Sequence, residues 1–291
     1  MRPSPRYLLL VTSAASMLLP VEGGGQATST RAVADRYLAL TFNQEYDALL
    51  DVYAEDATFF DPTGEVFAGP VADGPLQGAD AIVALQKSWG LQGSEFDVDT
   101  SFSVGEYSLH RGSLRVRYDA AGPWTEFPFV TVLRVRSGRV IERTDFGAYV
   151  ESFHLGERFR DAADETRTVA AEYLRAYLDA DLDAQRRLLA PDARFQDPTA
   201  QVYGPNSGQP LIGADQILRK RAQTFQNVTD FDLDVSASFV SYHHAVYMGT
   251  TKYTLRNGAR YEQPAIFVIE VRDGHVTRHW DFVDYSVGPM A

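Results

Sequence analysis

Two aspartates, Asp61 and Asp197, each close a short phenylalanine-containing stretch and are each followed by proline, in the repeated phrases AEDATFFDPT (residues 54–63) and APDARFQDPT (190–199). If the stretch is a strand, alternation puts Asp61 on the side of Phe59 and Asp197 on the side of Phe195. Thr58 and Phe60 take the other side in one copy, Arg194 and Gln196 in the other. The polar pair marks solvent, so the Phe/Asp side is expected to point inward. An inward carboxyl beside a phenyl ring is partly desolvated, which raises its pKa towards the working range of a general base. The plainer alternative is that each Asp accepts backbone N–H bonds in the turn before proline.

Further candidates recur in both copies. Tyr37 and Tyr173 fall on the apolar faces of helices, where a buried hydroxyl needs a partner. An enolate oxygen or an Asp would serve, and so would an ordinary core contact. Asp145 and Asp281 share a strand side with Arg143 and His279, which gives either an oriented catalytic carboxylate or a surface ion pair of small value. Glu126 and Glu262 share a face with Val130 and Val132, or with Ile266 and Val268, and an inward Glu there would supply an acid. Six histidines lack helical metal-ligand spacing and the chain has no cysteine, so neither a metal nor a cofactor is expected. No nucleotide-binding or serine-hydrolase motif is present.

These side chains must be held by a duplicated scaffold. Residues 31–63 align without a gap on 167–199, with 14 of the 33 columns identical. Apolar residues at i, i+4 and i+7 predict a helix over 30–42, with Thr30 as its N-cap, and a short helix over 46–53. A strand over 58–61 stops at Pro62, a Gly/Pro-rich loop covers 64–78 and a third helix covers 79–89. Four strand-like runs separated by Gly, Ala-Gly and Ser-Gly turns follow. The second half repeats this order. Three helices, one strand and an antiparallel meander make an α+β plan with the helices on one face of a curved sheet.

The chain has 291 residues, enough for two domains each able to bury a core. A net charge of −12 argues against nucleic acid and against an anionic membrane surface. Arg2 and Arg6 precede a broken apolar run over 7–21, followed by small residues to Ala27, the layout of a secretory signal peptide. The expected organisation is a signal peptide over 1–27, domains over 28–153 and 167–291, and a connector over 154–166. A secreted or periplasmic location follows, with no membrane after processing, and residues 23–30 read as a flexible lead-in.

The phrases RAVADRYLAL, YDALLDVYAEDATFFDPTGEVFAGP and GADAIV, with HVTRHWDFVDY in the second half, resemble the nuclear transport factor 2-like superfamily and its SnoaL-like and ketosteroid-isomerase-like members. The resemblance covers nearly all of both halves. It implies cones built from a strongly curved sheet wrapped by helices around an apolar pocket, in a superfamily of isomerases, dehydratases, epoxide hydrolases, polyketide cyclases and plain binding modules. It implies a general base at Asp61 and Asp197 and an oxyanion-hole tyrosine at Tyr37 and Tyr173. The isomerase's second oxyanion donor, an Asp, has no match in residues 129–132 or 265–268. Asp145 and Asp281 match the acid/base Asp of limonene epoxide hydrolase and SnoaL-like cyclases, whose Arg-x-Asp pair on an earlier strand has no counterpart around 114–117 or 250–253. The expectation is a cofactor-independent enzyme of isomerase, lyase or hydrolase type acting on a small apolar compound; the alternative is a non-catalytic binding module for such a ligand. The two halves are expected to pair sheet to sheet as an intramolecular dimer.

Overall fold

A computed structural model describes residues 24–67, 74–204 and 206–290. The apolar run expected to form the signal peptide lies outside the described residues. Helix α1 (Gly24–Phe42) starts earlier than its sequence pattern, so residues 24–30 are helical rather than a loose lead-in. Thr30 is inside the helix and caps nothing; its hydroxyl donates to the Gly105 carbonyl at 3.0 Å. Ala34, Tyr37, Leu38 and Thr41 are buried at the i, i+3, i+4, i+7 spacing that seats one helix face on a sheet.

Helix α2 (Tyr46–Leu49) leads into β1 (Tyr53–Phe60), which is longer than the strand predicted from 58 onward. A 3-10 turn (Pro62–Phe67) follows, because Pro62 can start a helical turn but cannot donate to a ladder. Then come β2 (Leu76–Gln77), α3 (Ala79–Ser88), β3 (Gly93–Val104), β4 (Tyr107–Arg117), β5 (Thr125–Arg136) and β6 (Arg139–Gly147). The sheet order is β2-β1-β6-β5-β4-β3, with β1 and β6 parallel and the other pairs antiparallel. Ser137 and Gly138 both take positive φ, the backbone of a two-residue type I′ hairpin between β5 and β6.

After α4 (Tyr149–Ser152), helix α5 (Glu157–Leu178) runs unbroken through much of the expected connector into the second repeat. The second repeat has α6 (Leu182–Leu188), β7 (Leu189–Gln196), a 3-10 turn (Pro198–Tyr203), β8 (Leu211–Ile212), α7 (Ala214–Phe225), β9 (Val228–Ser241), β10 (His244–Leu255), β11 (Arg260–Arg272) and β12 (His275–Val283). Its order, β8-β7-β12-β11-β10-β9, copies the first sheet, so the chain is a tandem pair of α+β domains. Each sheet bulges at the same place. A Cβ on Gly112 would sit 1.8 Å from the Asp97 carbonyl oxygen, and one on Gly249 would sit 2.0 Å from that of Asp234. Glycine is required at both crossings, and the bulge adds the curvature that rolls each sheet into a cone.

The halves touch through side chains on the outer faces of the sheets. Arg272 pairs with Glu65 at 2.8 Å, Arg111 donates to Ser236 at 2.9 Å, and the rings of Phe146 and Trp280 lie 6.4 Å apart. The face opposite Asp61 and Asp197 therefore looks onto a cleft between the sheets, lined by Phe60, Arg194 and Gln196, rather than onto bulk solvent. Among the described residues, no helix is long and apolar enough to cross a membrane.

Candidate functional site

Asp61 sits one residue past the end of β1, where strand alternation has already turned it to the side of Phe59. Both line a cavity of about 260 Å³ inside the first cone. Its wall is mainly aromatic, with Phe42, Phe67, Trp89, Phe127, Phe129 and Phe153 around it. Asp61 Oδ1 accepts from the Thr63 hydroxyl at 2.7 Å and from the Gly64 N–H at 2.8 Å. Asp61 Oδ2 accepts from the Tyr149 hydroxyl at 2.7 Å. One lone pair of Oδ2 is left for a proton. The inward carboxyl and the turn-capping carboxyl, alternatives in the sequence, are thus the same group.

Burial, with the nearby Asp145 charge, pushes Asp61 up to about 7, against the pull of its three hydrogen bonds. Asp145 lines the same cavity and lies two residues beyond Arg143 on the same face of β6. Arg143 Nε donates to Asp145 Oδ1 at 2.9 Å, its Nη2 to Oδ2, and Thr131 on the neighbouring strand donates to Oδ1 at 2.7 Å. Burial raises the Asp145 pKa and the Arg143 contacts oppose that rise. Burial also works against the Arg143 charge, but Asp145, Tyr37 and Tyr53 hold the guanidinium well above its ordinary value. A neutral Asp145 would leave a buried cation uncompensated, so the pair is ionised. It is a buried pair, not the surface pair of the plainer sequence reading, since both side chains are 3% exposed.

Tyr37 does not reach the cavity. Its hydroxyl accepts from Arg143 Nη1 at 2.6 Å, lies 2.9 Å from the Tyr53 hydroxyl and takes a long 3.4 Å contact from Gln86. The predicted electrophilic donor is a core tyrosine that steadies Arg143 from behind. The phenol beside the base is Tyr149 instead. A Cβ on Gly147 would lie 2.4 Å from Tyr149 Cζ, so the glycine lets the ring fold back over its own strand. The signal was in the sequence, since DFGAY (145–149) and DFVDY (281–285) repeat the Asp-to-Tyr spacing. Thr41 also faces the cavity, and its buried hydroxyl has no hydrogen-bond partner among the described residues.

Glu126 and Glu262 are exposed, which corrects the expectation of an inward acid. Strand β5 is buried on both faces. Phe127 and Phe129 face the cavity, whereas Val132 faces the cleft between the sheets. Burial of the Val130/Val132 side therefore did not mark the inside of the cone.

The second cone keeps the base and carries a bulkier side chain beside its last-strand Asp. Asp197 accepts from Thr199 at 2.8 Å, from the Ala200 N–H at 3.1 Å and from the Tyr285 hydroxyl, and burial with the nearby Asp281 charge lifts it to about 7. Where the first cone has Thr41, the second has Tyr177. Its hydroxyl donates to Asp281 Oδ2 at 3.1 Å, and its ring packs 5.4 Å from Phe231 and 6.0 Å from Phe267. Arg221 lies 4.3 Å over that ring. Arg221 Nη2 donates to His279 Nδ1 at 2.9 Å, so the ring proton sits on Nε2, 2.6 Å from Asp281 Oδ1. Burial lowers the His279 pKa, in keeping with a neutral ring. Tyr173 is 3.1 Å from His279 Nδ1 and is as deeply buried as Tyr37. Each cone thus has one buried Arg near its last-strand Asp, carried by β6 in the first and by α7 in the second. Among the described residues, no group of three or more His, Cys, Asp or Glu is placed to hold a metal ion.

Comparison with curated proteins gives no match. Among solved structures, the chain is similar to a protein assigned as a SnoaL-like polyketide cyclase from Shewanella denitrificans OS-217 (18% identity, 42% of this chain and 92% of that one, TM-score 0.37). It is similar to a protein assigned as a ketosteroid isomerase from Kribbella flavida (24% identity, 42% and 79%, TM-score 0.34). It is also similar to an epoxide hydrolase from M. tuberculosis of the limonene epoxide hydrolase type (16% identity, 42% and 84%, TM-score 0.36). The SnoaL-like domain model matches residues 34–143 and again residues 170–279. The chain belongs to the SnoaL-like family and carries its domain twice, in tandem.

Proposed function

We propose that the first domain binds a small, largely apolar molecule and moves a proton on it without a cofactor, with Asp61 as the acid/base group. The observation that carries this reading is a carboxyl on an aromatic-walled cavity with its pKa at about 7. A group that titrates near neutrality gives and takes a proton with least loss in either direction. Asp145, fixed as an anion by Arg143, keeps the proton affinity of Asp61 high. Thr41 offers a hydroxyl to a polar atom of the ligand. The second domain keeps Asp197 but places Tyr177, hydrogen-bonded to Asp281, where the first has the free Thr41 hydroxyl, so turnover is assigned to the first.

The test is proton exchange in deuterated water with a panel of apolar ketones, followed by NMR at the carbon next to the carbonyl. Exchange by the native chain and its loss in Asp61→Asn are expected. No exchange above buffer with any ketone would sink the reading. Hydroxyl engagement favours a second reading, a binding module. Tyr149 donates to Asp61 and Tyr37 does not line the cavity, which leaves few donors for a developing oxyanion. Under it, mass spectrometry of small molecules released from the native protein finds a ligand that Asp61→Asn retains with unchanged affinity.

Two broader proposals rest on the same chain. The halves act as an intramolecular dimer, supported by the Arg272–Glu65 and Arg111–Ser236 contacts; sedimentation of the intact chain as a single-chain particle tests it. Export is supported by Arg2, Arg6 and the apolar run over 7–21, and N-terminal sequencing of the mature protein tests it.

A further inference from the structure

The cleft between the two sheets is a larger space than the cavity in the cone, about 720 Å³, and both domains line it. Its chemistry is ordered by sheet register. On the second sheet Arg194, Arg278, Glu270 and His244 are successive cross-strand partners over β7, β12, β11 and β10. They therefore form one row across the sheet. Thr58, Glu142, Arg134 and Tyr107 form the equivalent row on the first sheet. All but Thr58 line the cleft. In a chain of net charge −12, the lining holds four arginines against three glutamates, a local reversal of sign.

Ion pairing between the domains accounts for part of this set. Glu65 and Glu270 both hold Arg272, at 2.8 and 3.0 Å, and Glu270 also accepts from Thr277 at 3.0 Å. Two groups are left over. Arg194 has no ion-pair or hydrogen-bond partner among the described residues, and its row neighbour Arg278 makes a 3.4 Å approach to the heavily shared Glu270 and lies 5.8 Å from the centre of the Trp280 ring. His244 is 1% exposed, yet its Nδ1 has no hydrogen-bond partner and is 3.8 Å from Glu65 Oε1, itself without one. Burial lowers the His244 pKa to about 3, so near neutral pH the ring is an uncharged hydrogen-bonding group facing the cleft. An orphaned polar atom this deeply buried calls for a partner.

Beyond the charged row the same face becomes apolar. Trp280 and Phe282 follow Arg278 at i+2 and i+4 on β12, and Phe146 approaches Trp280 from the first sheet at 6.4 Å. Adjacent strands are about 5 Å apart, so the Arg194 and Arg278 guanidinium groups can share one anion, and a bidentate guanidinium grip suits a carboxylate.

We propose that this cleft is a second ligand site, taking a small organic acid whose carboxylate is gripped by Arg194 and Arg278 and whose hydrocarbon part lies against Trp280 and Phe146. The site is separate from the Asp61 cavity and does not depend on the reaction assigned to it. The test is titration calorimetry of the full chain with hexanoate, with 1-hexanol as the uncharged control. Saturable hexanoate binding is expected, weakened about tenfold or more in Arg194→Gln/Arg278→Gln and unchanged in Asp61→Asn. Arg194 is exposed, so Arg194→Gln alone carries the test if the double variant does not fold. Absence of saturable heat overturns the proposal. So does equal binding of hexanol, or hexanoate binding that the arginine substitutions leave untouched and Asp61→Asn removes.

Discussion

Tyr149 donates a 2.7 Å hydrogen bond to Asp61 from 88 residues further along the chain, and Tyr285 makes the same bond to Asp197 across the same separation. The bond favours the ionised carboxylate, so it is one of the forces holding Asp61 down to about 7 when burial would carry it higher. In Tyr149→Phe the Asp61 pKa should rise by roughly one to two units, the worth of one hydrogen bond to a charged group. With Asp61 as base, kcat/KM climbs with pH through about 7 in the native chain. The midpoint of that climb should move up in the variant. A pH–rate profile for both proteins checks this.

Asp61→Asn should lower turnover by roughly a hundredfold or more, the usual share of a positioned acid/base group. The same change should stabilise the protein near neutrality. A folded-state pKa of about 7 exceeds the unfolded value, so the native state holds a proton that the unfolded chain has released, and stability falls as pH rises from about 4 to 7. Asn removes that penalty. Thermal melts should show Asp61→Asn above the native chain at pH 8, with the gap closing by pH 4.

Arg143 and Asp145 are a buried pair in which each partner is costly without the other. Arg143→Met should destabilise the fold by about 3–5 kcal/mol because it strands the carboxylate. Arg143→Met/Asp145→Leu should recover much of the loss. Denaturant unfolding of the two singles and the double gives the coupling directly.

Thr41→Tyr should place in the first cone the ring that Tyr177 places in the second, where its hydroxyl meets the last-strand Asp. Ligand binding and turnover should disappear while the fold persists. The reverse change, Tyr177→Thr, opens a void under Phe231 and Phe267 and should cost about 3 kcal/mol or more. Circular dichroism melts of the pair, together with calorimetry on the first, separate loss of ligand space from loss of fold.

The duplication made most of the fold legible, because two copies of one pattern repeat every helix, strand and Asp-Pro stop. The inward turn of Asp61 was legible too, since alternation from Phe59 needs only the strand. Strand β5 defeated the same logic. Both of its faces are buried, one in the cone and one in the cleft, so an apolar side no longer distinguishes inside from outside, and Glu126, like Glu262 at the matching place on β11, is exposed where an inward acid is expected. Tyr37 and Tyr173 sit where helix periodicity put them, but periodicity says nothing of what a hydroxyl touches, and theirs meet Arg143 and His279. The pairing of Tyr149 with Asp61 depends on how β6 ends against the 3-10 turn, a tertiary fact, although the repeated Asp-to-Tyr spacing pointed to it. The change from Thr41 to Tyr177 lies in a column that does not match, where one bulky side chain is indistinguishable from drift.

Tyr177 also bears on how much bulk the scaffold accommodates. Its ring packs against Phe225, Phe231 and Phe267 where the first cone has Thr41, and the backbone around it keeps the register of the other copy. Thr131 faces Asp145 across β5 and β6 as Phe267 faces Asp281 across β11 and β12, and the bulge at Gly112 recurs at Gly249. One polypeptide therefore displays its scaffold with a small and with a bulky side chain at one position, with the same strand pairing in each. The strand pairing accommodates an aromatic ring at this position without a register change, so the sheet itself is not where bulk inside the cone has to be absorbed.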